Sequence, residues 1–177
     1  MGPNGRTVIY MSAAIQGQGE NMASLVAYFS CSGVTKAVAE KLAEATGSEI
    51  FEIVPETPYT AADLNWRDES SRTTKEKEDD SCRPRIKNGG APVASADVIY
   101  VGFPIWWYKE PNIIDTFLES YDFSGKTVVP FATSGSSGMD GIGPRMQKLV
   151  PKAKVLKGRR FSSSVSVPDL KEWAGSL

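Results

Sequence analysis

A single stretch, Leu25 to Leu42, constrains what this chain can fold into more than any other. It opens with Leu25-Val26-Ala27-Tyr28-Phe29, an apolar run of the length and type expected for a strand buried on both faces. Six small or hydroxylated residues follow: Ser30, Cys31, Ser32, Gly33, Val34 and Thr35. From Lys36 to Ala45, Val38, Leu42 and Ala45 then recur at helical spacing. Strand, tight polar turn and helix is a geometry that holds phosphate, because turn amides and the positive end of the helix dipole converge on one point. Ser30, Ser32 and Thr35 offer hydroxyl donors, and Gly33 lets the chain turn without a Cβ in the way. An ordinary strand-to-helix turn capped by Ser or Thr fits the same residues, so this segment alone leaves the two readings level. The chain has neither Gly-x-x-x-x-Gly-Lys-Ser/Thr nor Gly-x-Gly-x-x-Gly, which disfavours a P-loop NTPase and a Rossmann dehydrogenase.

Histidine is absent, and that narrows the chemistry further. Ser-His-Asp and Cys-His catalysis are excluded, as are the usual zinc and haem ligand sets. The commonest acid–base group near neutral pH is missing too, so an enzyme here borrows its chemistry from a cofactor; a non-enzyme is the other reading. A net charge of −1 gives no reason to expect nucleic acid or an anionic membrane as partner. No apolar run approaches the ~20 residues of a membrane span. Cys31 and Cys82 match no metal spacing and make a poor disulfide framework, so reduced thiols in a cytoplasm are expected.

The 177 residues suit one domain, expected over 23–177 after a flexible lead-in over 1–22. Glu49 to Val54 alternates polar and apolar residues and reads as a second strand at a sheet edge. Residues 56–92 are charged and Ser/Thr-rich with no helical apolar stripe, a long connection that is either partly structured or functional. Within it, residues 61–66 suggest a turn of helix, and Lys75-Glu76-Lys77-Glu78-Asp79-Asp80 reads as a solvated face. Trp66 stands out there as an aromatic that must cover core, cofactor or a second subunit. The third strand, Asp97 to Phe103, runs straight into Pro104-Ile105-Trp106-Trp107-Tyr108, followed by Lys109-Glu110-Pro111 and a helix to Ser120. Three consecutive aromatics beyond the end of a central strand suit a flat apolar ligand in preference to a protein interface. The fourth strand, Thr127 to Thr133, exits through Ser134, Gly135 and two further serines to Gly138, a small-residue loop that is a flexible connection or a wall of the same site. A helix over 142–149, a last strand over 153–158 and a terminal helix from Val167 complete the pattern. Five strands alternating with helices imply a parallel sheet built by right-handed crossovers.

Ser-x-Ser-Gly-x-Thr after the first strand, Pro-Ile-Trp-Trp after the third and a Thr-Ser-Gly-x-x-Gly loop after the fourth together make the chain resemble the flavodoxins, in particular a short bacterial group. The resemblance implies an α/β flavodoxin-like three-layer sandwich with a five-stranded parallel sheet in the order 2-1-3-4-5, an order for which flavodoxin is itself the reference example. It implies FMN as cofactor. Ser30, Ser32, Gly33 and Thr35, with the amides of Cys31 and Val34, would bind its phosphate. Pro104, Ile105, Trp106, Trp107 and Tyr108 would lie along the isoalloxazine edge, and Thr133, Ser134, Gly135 and Gly138 beside the pyrimidine side and ribityl chain. The implied activity is transfer of one or two electrons to a redox partner protein or a small quinone-like acceptor, with a homodimer as a possible assembly. Two departures from the family pattern bear on this. The chain lacks the strong acidity of electron-shuttle flavodoxins, and it has a Trp pair where one aromatic is usual. An FMN-dependent NAD(P)H or quinone reductase therefore stands as an alternative. A flavin-free binding module of the same fold is a second alternative, since fold alone does not dictate function.

Overall fold

The computed structural model describes residues 22–134 and 138–177. All of the lead-in except Met22 lies outside the described residues, as does Gly135. The elements alternate along the chain: β1 (Ser24–Tyr28), α1 (Val34–Thr46), β2 (Glu49–Glu52), α2 (Arg72–Glu78), β3 (Val98–Pro104), α3 (Asn112–Ser120), β4 (Thr127–Thr133) and α4 (Ile142–Leu149). Two short strands, β5 (Lys154–Val155) and β6 (Arg159–Phe161), precede the last helix, α5 (Val167–Gly175). The sheet order is β2-β1-β3-β4-β5, with β6 also paired to β4 and every pair of strands parallel.

Strand alternation sorts the core into two layers. Leu25, Ala27 and Phe29 of the first strand region, with Ile99, Val101 and Phe103 of β3, pack against Ile113, Ile114 and Phe117 of α3 and Met146 of α4. Their neighbours Val26, Tyr28, Tyr100, Val129 and Phe131 face the other way, onto Val38 and Leu42 of α1 and Leu170 and Trp173 of α5. Each large side chain buried in this way contributes ~1.5–3 kcal/mol. Gly102 on β3 is required by this packing: a Cβ there would stand 2.2 Å from the Phe131 ring of its register partner.

The last strand, expected over 153–158, is paired only at β5, and a further short strand, β6, lies beyond its expected end; Pro130 explains the break between them. Leu156 N–H donates to Val128 O (2.9 Å), so even-numbered positions of β4 face the edge strand, and Pro130 has no N–H to offer there. The register moves from Val128↔Val155 to Phe131↔Arg159, one extra residue on the edge side, which is a bulge opposite the proline. Gly158 (φ 76) closes it, because a Cβ there would lie 2.0 Å from Pro130 O.

The 56–92 connection contains one regular element that the sequence hides. Helix α2 has no apolar stripe; its buried face is Thr73, Thr74 and Glu76, and Ser71 caps it by accepting from the Thr74 N–H. The charge run is thus a solvated face except at Glu76, which is buried under Tyr59 and Arg72. Among the described residues no helix is long and apolar enough to cross a membrane, and no cluster of metal-binding side chains occurs.

Candidate functional site

The loops after β1, β3 and β4 meet at the carboxyl end of the sheet, where ligands bind in open α/β folds. Ile105 N–H donates to Thr133 O (2.9 Å), carrying the β3–β4 ladder one step beyond Pro104. Thr35 Oγ1 and Thr133 Oγ1 lie 2.8 Å apart, both buried, and tie the first loop to the third. Thr35 therefore acts as a strut beneath the rim and presents its amide to the loop, while its hydroxyl is engaged with Thr133.

The first loop enters its helix without a side-chain cap. The N-cap of α1 is Gly33 in the left-handed conformation (φ 89), and no side chain caps the helix. A Ser or Thr cap, the ordinary way to satisfy these amides, is not used. Ser30 Oγ instead accepts the Gly33 N–H (3.2 Å), which leaves the hydroxyl hydrogen as a donor. Ser32, Gly33 and Val34 are exposed, so the positive end of α1 opens to solvent between polar side chains. Cys31 is exposed in the same loop, yet its thiol is pushed up to about 11, chiefly by desolvation, with Arg72 opposing and Glu76 adding. It is a protonated thiol at neutral pH and no activated nucleophile.

The second loop is built differently. Trp106 and Lys109 exchange both backbone hydrogen bonds (3.0 and 3.2 Å) across Trp107 and Tyr108, whose φ values are 50 and 66. This is the geometry of a two-residue type I′ turn, which normally takes Asn-Gly because both central residues are left-handed. Two bulky aromatics there each cost about 1–2 kcal/mol of backbone energy. Tyr108 is 70% exposed, so packing of its ring does not hold the turn. Three other contacts do. The Trp106 ring stands edge-on to Phe29 (5.7 Å) and Tyr59 (5.6 Å). Lys77 Nζ sits 4.7 Å over the Trp107 ring. Arg145 Nη2 donates to the Tyr108 carbonyl (3.2 Å) and to Glu110 Oε2 (3.0 Å).

Glu110 is 3% exposed and begins a buried charge cluster behind the turn. Asp115, on the first turn of α3, is pushed up to about 8 by burial first and by Glu110 next; Arg83 at 4.0 Å and Lys109 oppose. Asp115 Oδ1 is buried with no hydrogen-bond partner among the described residues, and a proton held on this carboxyl accounts for its tolerance beside Glu110. Lys109 Nζ is taken by Asp80 (2.7 Å).

These pieces enclose a cleft of about 580 Å³, lined by Cys31 and Ser32 of the first loop, Pro104 to Tyr108 of the second, and Leu64, Trp66 and Thr73 from the long connection. The volume and aromatic lining suit a mostly apolar ligand with a few polar anchors. Thr133, Ser134 and Gly138 of the third loop stand on the same rim without lining this cleft. Leu64 and Thr73 escaped the sequence reading because nothing in their local pattern marks them. Trp66 carried the signal, and the structure places it on the cleft, 64% exposed, with the Arg67 guanidinium 5.0 Å over its ring.

Comparison with known proteins bears on this site. A family model described as flavodoxin matches residues 23–177. Two solved structures, both of candidate flavoproteins, are similar over most of their length. The one from Bacteroides uniformis is 44% identical and covers 88% of this chain and 99% of its own, with a TM-score of 0.82. The one from Bacteroides eggerthii is 39% identical and covers 89% and 98%, with a TM-score of 0.84. A flavoprotein from Lactobacillus acidophilus, solved in complex with FMN, shares 23% identity over 86% of this chain and 99% of its own at a TM-score of 0.66. No curated protein matches the chain.

Proposed function

The chain belongs to the flavodoxin family, and from that premise we propose that it binds FMN at the rim of the sheet and carries one or two electrons to a redox partner protein or a small acceptor. The observation that carries this reading is the start of α1, where a left-handed Gly33 and the lack of a side-chain cap leave the first helical amides without a side-chain acceptor, next to Cys31 and Ser32 on the wall of an aromatic cleft. A phosphate dianion is the group such a helix end accepts.

When bound, FMN supplies the reversible redox chemistry, and the residues of this chain hold it in place. Ser30 and Ser32 would give hydroxyl donors, and the uncapped amides of Val34 and Thr35 would bind the phosphate at the start of α1. Pro104 to Tyr108, which line the cleft, would lie along the isoalloxazine edge, and the rings of Trp106 and Trp107 would exclude water from it. Thr133, Ser134 and Gly138 would lie beside its pyrimidine side and ribityl chain. Cys31 stays a protonated thiol and serves as a small side chain at the mouth.

A second reading, reduction of a quinone-like substrate at the expense of NAD(P)H, draws support from Trp66 and the cations. An exposed indole on the cleft wall gives a flat acceptor a surface to stack on. Arg67 and Lys77 lie over the rings of Trp66 and Trp107, two residues that line the cleft, so cations stand beside its aromatic wall. The test is to load the purified protein with FMN, remove the excess and record the visible spectrum, then add NADH, NADPH or dithionite. Retained flavin that only dithionite reduces supports the carrier; rapid reduction by NAD(P)H with quinone turnover supports the reductase. Loss of all flavin on removal of the excess, with the fold intact by circular dichroism, contradicts both.

A further inference from the structure

The tight turn Trp107–Tyr108 is held in a conformation that its residues disfavour, and what holds it comes from 37 residues away. Arg145 lies just past the first turn of α4, where the helix dipole disfavours a cation. Its guanidinium nevertheless points back across the helix start. A Cβ on Gly141 would meet Arg145 Nη1 at 3.2 Å, so the glycine leaves the room that the side chain occupies. Two acceptors offset the unfavourable placement: the carboxylate of Glu110, reached from both Nε (3.2 Å) and Nη2 (3.0 Å), and the Tyr108 carbonyl (3.2 Å). Glu110 is itself fixed by burial and by its position immediately before α3, so the fork rests on a rigid support.

We infer that Arg145 is a positioning residue: anchored on buried Glu110, it grips the carbonyl of Tyr108 and locks the left-handed turn in the shape that faces the ligand cleft. The consequence for FMN affinity rests on the flavin reading above, whereas the brace on the turn does not. Arginine is needed because one planar group must serve two acceptors in different directions, which a lysine ammonium on a flexible stem does poorly.

The test uses the flavin-free protein first. Amide hydrogen exchange is followed at Trp106 and Lys109, whose N–H groups close the turn, and at Val101 and Val129 in the central strands. Arg145→Gln should speed exchange at the two turn amides by roughly tenfold or more and leave the strand amides unchanged. Arg145→Lys should recover only part of this protection. Tyr108→Gly removes strain at the second turn position, so adding Arg145→Gln in that background should change turn exchange by less than about threefold. Unchanged turn exchange in Arg145→Gln would overturn the inference. So would an equal rise across the strands, or an equal effect in both backgrounds. FMN titration of the same variants then reads the consequence, with affinity expected to fall about tenfold in Arg145→Gln. If wild type binds no FMN, the flavin reading fails while the exchange data still decide the brace. If it binds FMN and turn exchange is unaltered, the brace fails and the flavin reading stands.

Discussion

The two loops that flank the cleft reach their shapes by opposite routes. The loop from Ser30 to Thr35 places its one left-handed residue at a glycine and satisfies Gly33 N–H from Ser30 three residues back, with Thr35 at its end joined to Thr133 beneath the rim. The turn at Trp107 and Tyr108 places two left-handed residues at bulky aromatics and relies on Lys77, Arg145 and the ring cluster around Trp106. The first is local and unstrained; the second is imposed by tertiary contacts. Strain kept in place by several independent contacts is characteristic of functional positions, where large side chains must be presented at a site that glycine would leave bare.

The comparison can be broken from either side. The largest effect should come from Trp106→Ala, which removes a half-buried ring packed against Phe29 and Tyr59 and should lower stability by ~3 kcal/mol in denaturant unfolding. Next comes the charge cluster behind the turn. Asp115 titrates near 4 in an unfolded chain and at about 8 in the folded one, so the folded state keeps a proton that the unfolded state has lost. Wild-type stability should therefore fall as pH rises through this window and level off above it. Asp115→Asn should remove the slope, gaining about 2.7 kcal/mol on wild type between pH 5 and pH 7 in parallel denaturation curves. An unchanged slope would place the proton elsewhere.

Glycine exchange gives the sharpest contrast. At Gly33 a new Cβ meets nothing within 4 Å, so Gly33→Ala isolates the backbone term and should destabilise by ~1 kcal/mol. Tyr108→Gly should act in the opposite sense and stabilise the flavin-free protein by about 0.5–1 kcal/mol, since it removes a left-handed tyrosine whose ring is mostly in solvent. The same sign for both substitutions would remove the distinction between a local loop and an imposed one.

How far the sequence reveals this molecule follows the same division. The strands around Val26, Val101 and Val129 are legible because double burial demands near-continuous apolar runs, and the Ser/Gly loops are legible because their turns need those residue types. The resemblance supplied the strand order. Helix α2 is hidden because it buries Thr73, Thr74 and Glu76, polar groups in place of an apolar stripe, with Glu76 held by Arg72 of the same helix and by the Tyr59 hydroxyl from the loop before it. The division of the edge strand was implicit in Pro130, but only pairing shows that the missing N–H faces β5. The aromatic loop could be placed at the site from its composition. Its left-handed turn could not, because no local signal for one exists in Trp-Tyr, and Arg145 is recognisable only once α4 stands beside α3. Trp66 was conspicuous by type, and its destination depended on how the long connection folds over the rim.

The central claim is that the open start of α1 holds the phosphate of a flavin whose rings enter the aromatic cleft. It is tested most directly by titrating the flavin-free protein with FMN and, separately, with riboflavin, which has the same rings and no phosphate. Flavin fluorescence would be followed in wild type and in Ser32→Glu, whose carboxylate would compete for the helix end. Wild type should prefer FMN by about 100-fold, close to 2.7 kcal/mol, and Ser32→Glu should lose most of that preference while still binding riboflavin. Equal affinity of wild type for the two flavins, or no binding of either, would contradict it.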